Sequence, residues 1–393
     1  MGSEPGKGWN MAQEMANHYE VWVLTWSRDR SSIEEEITRH PMPNLHFIYL
    51  ESPLDQMLWK FQLGVYIHYY LWQIQAYFIA RKLHREVSLD LVHQMVYATY
   101  KMPTILPLLP VPFVWGPVGG GESAPKGFWQ DFSFHGKVHE LLRDLARWLG
   151  EHDLFVRLAL QRSAVVLATT PATAQRLWKL GAKEIQVYSQ VGLPKTVVSD
   201  LAEYRSVDTQ PVRFISIGRL LHWKGFHLGL RAFALANIEG AEYWVVGDGV
   251  ERERLHRLTQ ELGIMPKVKF WGELPRNETL RKLEECHVLV HPSLHESGGT
   301  VCLEAMVAGR PVICLDLGGP TILVSEETGY KVPAQNPEQV VQDMAQAMTC
   351  LATDPKLRLK LGQAGRQRGI EVFSWETKGR FYSKIYQEIL SQA

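Results

Sequence analysis

Two periods alternate along this chain. Short β-branched and aromatic runs read as buried strands. Between them lie longer stretches whose apolar residues recur every three or four positions, the mark of helices packed on one face. In the first half the strands fall at VWVLT (21–25), LHFIYL (45–50), DLVH (90–93), PFVWG (112–116) and AVVLAT (164–169). Helical patterns fill 55–86, 136–162 and 172–180; Thr170 is placed to cap the last, and Gly181 suits the residue just past its end. The second half is more regular. VRFISIG (212–218), YWVVG (243–247), VKFWG (268–272), HVLVHPS (287–293) and PVICLD (311–316) read as strands, with helices at 225–238, 250–262, 276–286 and 300–308, and three more helices to finish. This alternation predicts an α/β fold with parallel, doubly wound sheets, whose ligands sit at the carboxyl ends of the strands.

Between the halves, 194–211 is polar and irregular, bounded by Pro194 and Pro211, and the domain boundary is placed there. A length of 393 residues also favours two domains. The net charge of zero gives no overall attraction to nucleic acid, and no such partner is expected. Cys286, Cys302, Cys314 and Cys350 form no CxxC pair, which suits a reduced, cytosolic protein better than a disulfide scaffold or a zinc site. The polar opening MGSEPGKGW is not a signal peptide. The most apolar long stretch, 58–80, contains Lys60, Gln62, His68, Gln73 and Gln75, too many polar groups for a free membrane span. Its many aromatic residues fit a helix packed beside an acceptor pocket. The basic run Arg81, Lys82, His84, Arg85 at its end keeps peripheral membrane contact as the alternative.

Candidate chemistry collects after the strands of the second half. In GRLLHWKGF (218–226), Gly218 permits a tight turn, and Arg219 and Lys224 put two cations at a strand's carboxyl edge. That pairing suits a diphosphate: arginine offers a bidentate fork, lysine a compact point charge. The plain alternative is a solvated turn. In HPSLHESGGTVCLEAMV (291–307), Glu296 and Glu304 stand eight apart with Ser297, Gly298, Gly299 and Thr300 between. The glycines allow close backbone approach, and a helix beginning near Thr300 offers free N–H groups to an anion. Glu304, about one turn into that helix, is placed to accept the hydroxyls of a ribose, and Glu296 to reach a sugar. Gly247 in VVGDG and Gly272 and Leu274 in WGELP are candidates to border the pocket, although such turns also occur as plain connectors. No Asp-x-Asp metal motif is present, and no metal or separate cofactor is expected.

Arg219 and Lys224, followed by Glu296 and Glu304 in an E-x7-E arrangement, resemble family 4 of the retaining glycosyltransferases. The resemblance covers the whole second domain. It implies the GT-B fold: two facing Rossmann-like domains with an interdomain cleft. It also implies that Arg219 and Lys224 hold the donor diphosphate, that Glu296 lies near the donor sugar and that Glu304 binds the nucleotide ribose. The first domain is similar more loosely. GSEPGKGW (2–9) resembles the family's Gly-rich loop facing the donor phosphates, with Gly6 and Gly8 as candidates, and WGPVGGGE (115–122) resembles a segment of one branch. The family's strand before that loop is not found ahead of it, so a truncated or misassigned start is expected. Many members carry a His after the strand matching PFVWG; Gly116-Pro117 stands there, and His93 is the nearest substitute. The domains are then 1–198, with a last helix at 375–393 crossing back onto it, and 205–374.

The activity this implies is transfer of a hexosyl group, with retention, from a nucleotide sugar such as a UDP- or GDP-hexose to a glycan or lipid-linked acceptor. Surface polysaccharide or glycolipid synthesis is the expected setting, in the cytoplasm or at the inner face of the membrane. The rivals are a GT-B epimerase or phosphorylase, a catalytically inactive sugar-nucleotide-binding protein, and a dehydrogenase, for which the GxGxxG after a first strand is missing.

Overall fold

The computed structural model describes residues 3–51, 62–96, 99–205 and 209–392. The chain forms two compact units. The first comprises 1–121, 144–190 and 375–393; the second comprises 122–143 and 191–374.

The second unit is built on a six-stranded parallel sheet. Its strands are β7 (Arg213–Ile217), β8 (Glu242–Val246), β9 (Val268–Gly272), β10 (Val288–His291), β11 (Val312–Leu315) and β12 (Gly329–Val332), following β1–β6 of the first unit in chain order. The spatial order is β12-β11-β10-β7-β8-β9, so the chain reverses direction across the sheet at β7. Both faces are covered. Phe214, Tyr243, Val245, Val288, Val290, Ile313 and Leu315 face one buried cluster. Their neighbours Ile215, Trp244, Val246, Leu289, Val312 and Cys314 face another. This period-2 division with apolar residues on both sides is why the strands read as unbroken hydrophobic runs. The segment 122–143 joins this unit because Ala124, Phe128 and Phe132 insert into the first of those clusters.

The first unit holds β1 (Val21–Trp26) and β2 (Leu45–Leu50) as a parallel pair. It also holds a four-stranded parallel sheet of β3 (Val92–Gln94), β4 (Phe113–Val118), β5 (Val165–Ala168) and β6 (Ile185–Val187) in sequential order. Phe113, Trp115, Val166 and Ala168 pack on one side. Val114, Val165 and Leu167 pack on the other, against Met11 and Met15 of the first helix and Trp375, Tyr382 and Ile385 of the last.

Several elements differ from the sequence reading. The segment containing Gly6 and Gly8 is not a loop: Ser3–Ala16 is helix, and both glycines lie in its first half. Met11, Ala12, Met15 and Ala16 give that helix a buried stripe at helical spacing, which outweighs the helix-breaking tendency of its glycines. Lys195–Ala202 is helical where an irregular linker was expected, since Val197, Val198 and Leu201 pack on a core cluster. The region 136–162 is two helices, Phe134–Glu151 and Leu154–Arg162, and the unit division falls inside the former, after Arg143. The aromatic helix runs over Gln62–Val87; positions 55–61 of its expected range lie outside the described residues. Tyr69, Gln73, Ala76, Ala80 and Leu83 are its buried row, while Ile67, Leu71, Ile74 and Phe78 form an exposed one. Gln73 is satisfied inside, donating to the Tyr69 hydroxyl at 3.0 Å and accepting from Thr104 at 2.9 Å. Among the described residues, no helix is long and apolar enough to cross a membrane.

Candidate donor site on the second unit

The carboxyl ends of β7, β8 and β9 are laid against one another by backbone alone. Gly218 N–H donates to the Val246 carbonyl at 3.0 Å, and Gly247 N–H to the Gly272 carbonyl at 2.7 Å. A Cβ on Gly247 would sit 2.0 Å from the Gly218 carbonyl oxygen, and its φ is +130°, so only glycine closes this edge. Arg219 follows Gly218 and is exposed; among the described residues it has no carboxylate partner. Leu274 is half-buried against a core cluster.

The turn after β7 is pressed onto the loop after β10. Gly225, at φ +66°, would place a Cβ 2.0 Å from the Pro292 carbonyl, and Leu294 N–H donates to the Trp223 carbonyl at 2.8 Å. This contact brings Lys224 Nζ to Glu296 Oε2 at 2.6 Å, where His291 Nε2 also donates at 3.0 Å. Burial pushes the Glu296 carboxyl up, but the His291 hydrogen bond and the Lys224 charge outweigh it and hold the group well below the usual carboxylate range. The carboxylate seated on Lys224 holds its ammonium group in place at the strand end.

Beyond Glu296 the loop is fixed from two sides. Ser297 Oγ donates to Glu122 Oε2 at 2.7 Å, and Gly319 N–H after β11 donates to the Glu296 carbonyl at 2.7 Å. Gly298 is half-buried, Gly299 precedes the helix Thr300–Val307 at φ +90°, and that helix carries Glu304 in its second turn. Glu304 is buried and pairs with Arg276 Nη2 at 2.7 Å. Burial raises its carboxyl, opposed by Arg276. Glu296 and Glu304 both act on the buried Cys302 thiol between them in sequence, raising it along with burial. The structure thus gathers Gly218, Arg219, Lys224, Glu296 and Ser297 along one sheet edge, and Glu304 on the helix that starts there.

The first-unit candidates have other employments. His93 ends up between Gly116 and Tyr386: Nε2 lies 2.6 Å from the Gly116 carbonyl and Nδ1 2.6 Å from the Tyr386 hydroxyl. The carbonyl can only accept, so Nε2 carries the proton and Nδ1 accepts from tyrosine. Both nitrogens are used, and burial lowers the ring to about 4. The ring is thus held by its own unit on both nitrogens. Gly8 is a contact point for Val96, where a Cβ would lie 2.9 Å from the valine methyl, and Gly6 faces open space. In WGPVGGGE, Gly121 N–H donates to Thr173 Oγ1 at 3.1 Å.

Sequence reasoning passed over His291, Arg276 and Glu122, which hold the two site glutamates and Ser297. His291 was visible as the last residue of its strand, and its pairing needed the loop to fold back. Arg276 and Glu122 are far away in sequence and gave no signal.

Residues 202–368 match the family model described as Glycosyl transferases group 1. Over this segment, the chain is similar to the group 1 glycosyl transferases. Among curated relatives, it is 33% identical over 214 residues to the lipopolysaccharide core biosynthesis glycosyltransferase LpsE of Rhizobium meliloti, covering 54% of this chain and 60% of that one. The chain thus spans less than two thirds of that relative's length. Among solved structures it resembles sucrose-phosphate synthase from Thermosynechococcus elongatus, with a TM-score of 0.64 at 19% identity over 100% of this chain and 94% of the other. It also resembles Anabaena Alr3699/HepE, crystallised with UDP, with a TM-score of 0.62 at 16% identity over 99% and 98%. At such identities the likeness concerns architecture, and the architecture is GT-B.

Proposed function

We propose that this protein is a retaining glycosyltransferase that moves a hexosyl group from a nucleoside diphosphate sugar to a glycan or lipid-linked acceptor. The observation that carries the reading is the Lys224–Glu296–His291 network at the carboxyl edge of β7 and β10, with Arg219 exposed there and, among the described residues, without a carboxylate partner. Negative charge gathers on the departing diphosphate as the glycosidic bond breaks. Arg219 and Lys224 are fixed positive groups for that charge, worth ~3–4 kcal/mol each when shielded from water. Glu304, buried and oriented by Arg276, is the acceptor for the ribose hydroxyls. Glu296 is ionised but engaged by two donors, which suits it to positioning the sugar better than to covalent attack. Front-side displacement assisted by the leaving diphosphate follows as the route to retention. The first unit is proposed to hold the acceptor.

The bound UDP of HepE makes uridine the first base to try. Thermal shift of the wild type and Lys224→Ala against UDP, GDP, ADP and NAD tests the site. At a hundred times its dissociation constant a ligand adds about 2.7 kcal/mol, enough to see. One nucleoside diphosphate, UDP expected, stabilises the wild type and not the variant. Stabilisation by NAD alone, or equal shifts in both proteins, would overturn the assignment.

The exposed row Ile67, Leu71, Ile74 and Phe78, followed by exposed Arg81, Lys82 and Arg85, supports peripheral contact with an anionic bilayer. Co-sedimentation with phosphatidylglycerol vesicles is expected to fall when the three basic residues are replaced by glutamine. Unchanged co-sedimentation counts against it.

A further inference from the structure

Away from the proposed phosphate contacts, the helical segment beginning at Phe134 lies on the turn that follows β7. Gly136 makes the approach: a Cβ there would be 3.0 Å from the His222 ring. The approach buries Glu140, which is 1% exposed, against two histidines. His222 Nε2 lies 3.1 Å from Glu140 Oε1, and His295 Nε2 lies 3.2 Å from the same oxygen. His139 Nδ1 is 3.7 Å from it. Glu140 Oε2 accepts no hydrogen bond among the described residues, its nearest cation being Arg143 Nη1 at 3.6 Å. Trp223 stacks on His139 at 4.9 Å and on His295 at 5.2 Å, which fixes both rings.

Two imidazoles and a carboxylate converging in this way have two uses. One is a hydrogen-bonded cluster, and the other is a set of ligands. One ligand atom from each of His139, Glu140 and His222 falls within 4.8 Å of the other two. Ligands bound tetrahedrally at 2.0–2.2 Å stand about 3.4 Å apart, so the 3.1 and 3.7 Å separations bracket what a zinc ion requires. A hydrogen-bonded cluster does not need the third member, and His139 is half-exposed, which leaves a fourth position open to water.

We propose that His139 Nδ1, Glu140 Oε1 and His222 Nε2 form a binding site for a zinc-class divalent ion. His295, donating to Glu140, orients the carboxylate from outside the ligand set. Imidazole with carboxylate selects zinc, cobalt or nickel over magnesium. The ion would clamp segment 134–143 to the turn that carries Lys224, two residues after His222, and so fix the position of that lysine. It takes no part in bond breaking. The proposal is independent of which sugar, or whether any sugar, is transferred.

The test is titration of the chelator-stripped full chain with zinc against a chromophoric competitor, repeated with cobalt and with magnesium. The expected result is one zinc per chain, visible ligand-field bands on cobalt addition, no magnesium binding, and a zinc-dependent rise in thermal midpoint. His139→Gln sits on a half-exposed position and keeps the fold; it is expected to weaken zinc binding more than ~10-fold and to abolish the thermal rise. His295→Gln is expected to weaken it by about 10-fold while keeping the cobalt bands. The chain has 15 histidines, so adventitious zinc is the competing outcome. Wild type without stoichiometric uptake, or uptake unchanged in His139→Gln, overturns the site.

Discussion

Two buried histidines make the stability of this protein depend on pH. His93 and His287 are both lowered to about 4, chiefly by burial. His287 is held neutral like His93: Nε2 donates to the Thr209 carbonyl at 2.9 Å, and Nδ1 accepts from the Arg213 N–H at 3.0 Å. An unfolded histidine titrates near 6.5, so between about 6.5 and 4 the unfolded chain binds more protons than the folded one. Stability is therefore lost as pH falls through that window, by on the order of 2–3 kcal/mol for each ring. Glu296 and Glu140 are held below the usual carboxylate range, so their contribution goes only at lower pH. Thermal midpoints measured from pH 7 to 4 are expected to fall, with a shallower slope in His287→Gln. A slope unchanged by that substitution would assign the loss to other groups.

At the level of elements, the ends carry the information that periodicity does not. The helical pattern over 136–162 gave no sign of a break, yet Asp153 ends one helix and starts another. Its Oδ1 accepts from Phe155 N–H at 2.7 Å and Val156 N–H at 3.4 Å, and its Oδ2 takes the Tyr70 hydroxyl. Asp153→Ala removes both functions and is expected to cost about 1–2 kcal/mol, read as a lower denaturation midpoint with unchanged slope. Strands β6 and β12 escaped the sequence reading for a related reason. Each lies at a sheet edge, and neither IQV nor GYKV carries a strong apolar run. Central strands are buried on both faces and announce themselves. An edge strand with so short or polar a run is defined by the neighbour it pairs with, whereas the edge strands β3 and β9 were read from DLVH and VKFWG. The turns after β7 and β8 were legible because their glycines are obligatory: Gly247→Ala puts a methyl 2.0 Å from a carbonyl oxygen and is expected to unfold this edge of the sheet.

For the molecule as a whole, the first unit is closed by residues from the far end of the chain. Trp375, Tyr382 and Ile385 of the helix Trp375–Leu390 are all nearly fully buried beside Met11 and Met15. Lys378 of the same helix, also buried, donates to the Ser189 carbonyl at 2.6 Å. Burial of three such side chains contributes ~5–9 kcal/mol, comparable to the whole stability of a typical domain. A chain ending at Ser374 is expected to lose the melting transition of the first unit and keep that of the second, with UDP still shifting the latter if the donor site is as proposed. Retention of both transitions would show that the helix is dispensable.

The sequence by itself determined most of the second unit: its four inner strands and the edge strand β9, the helices between them, and the glycines, cations and glutamates at the strand ends. These are local signals, because a strand buried on both faces must be apolar and a tight turn must be glycine. Tertiary structure alone decided which groups meet. It gave Glu296 to Lys224 and His291, Glu304 to Arg276, and His93 to Gly116 and Tyr386. It placed 122–143 with the second unit and assembled His139, Glu140 and His222 from segments 82 residues apart. The reason is physical. A backbone preference acts over a few residues, whereas a buried charge or imidazole is satisfied by whatever the fold brings within about 3 Å, and no spacing along the chain records that partner.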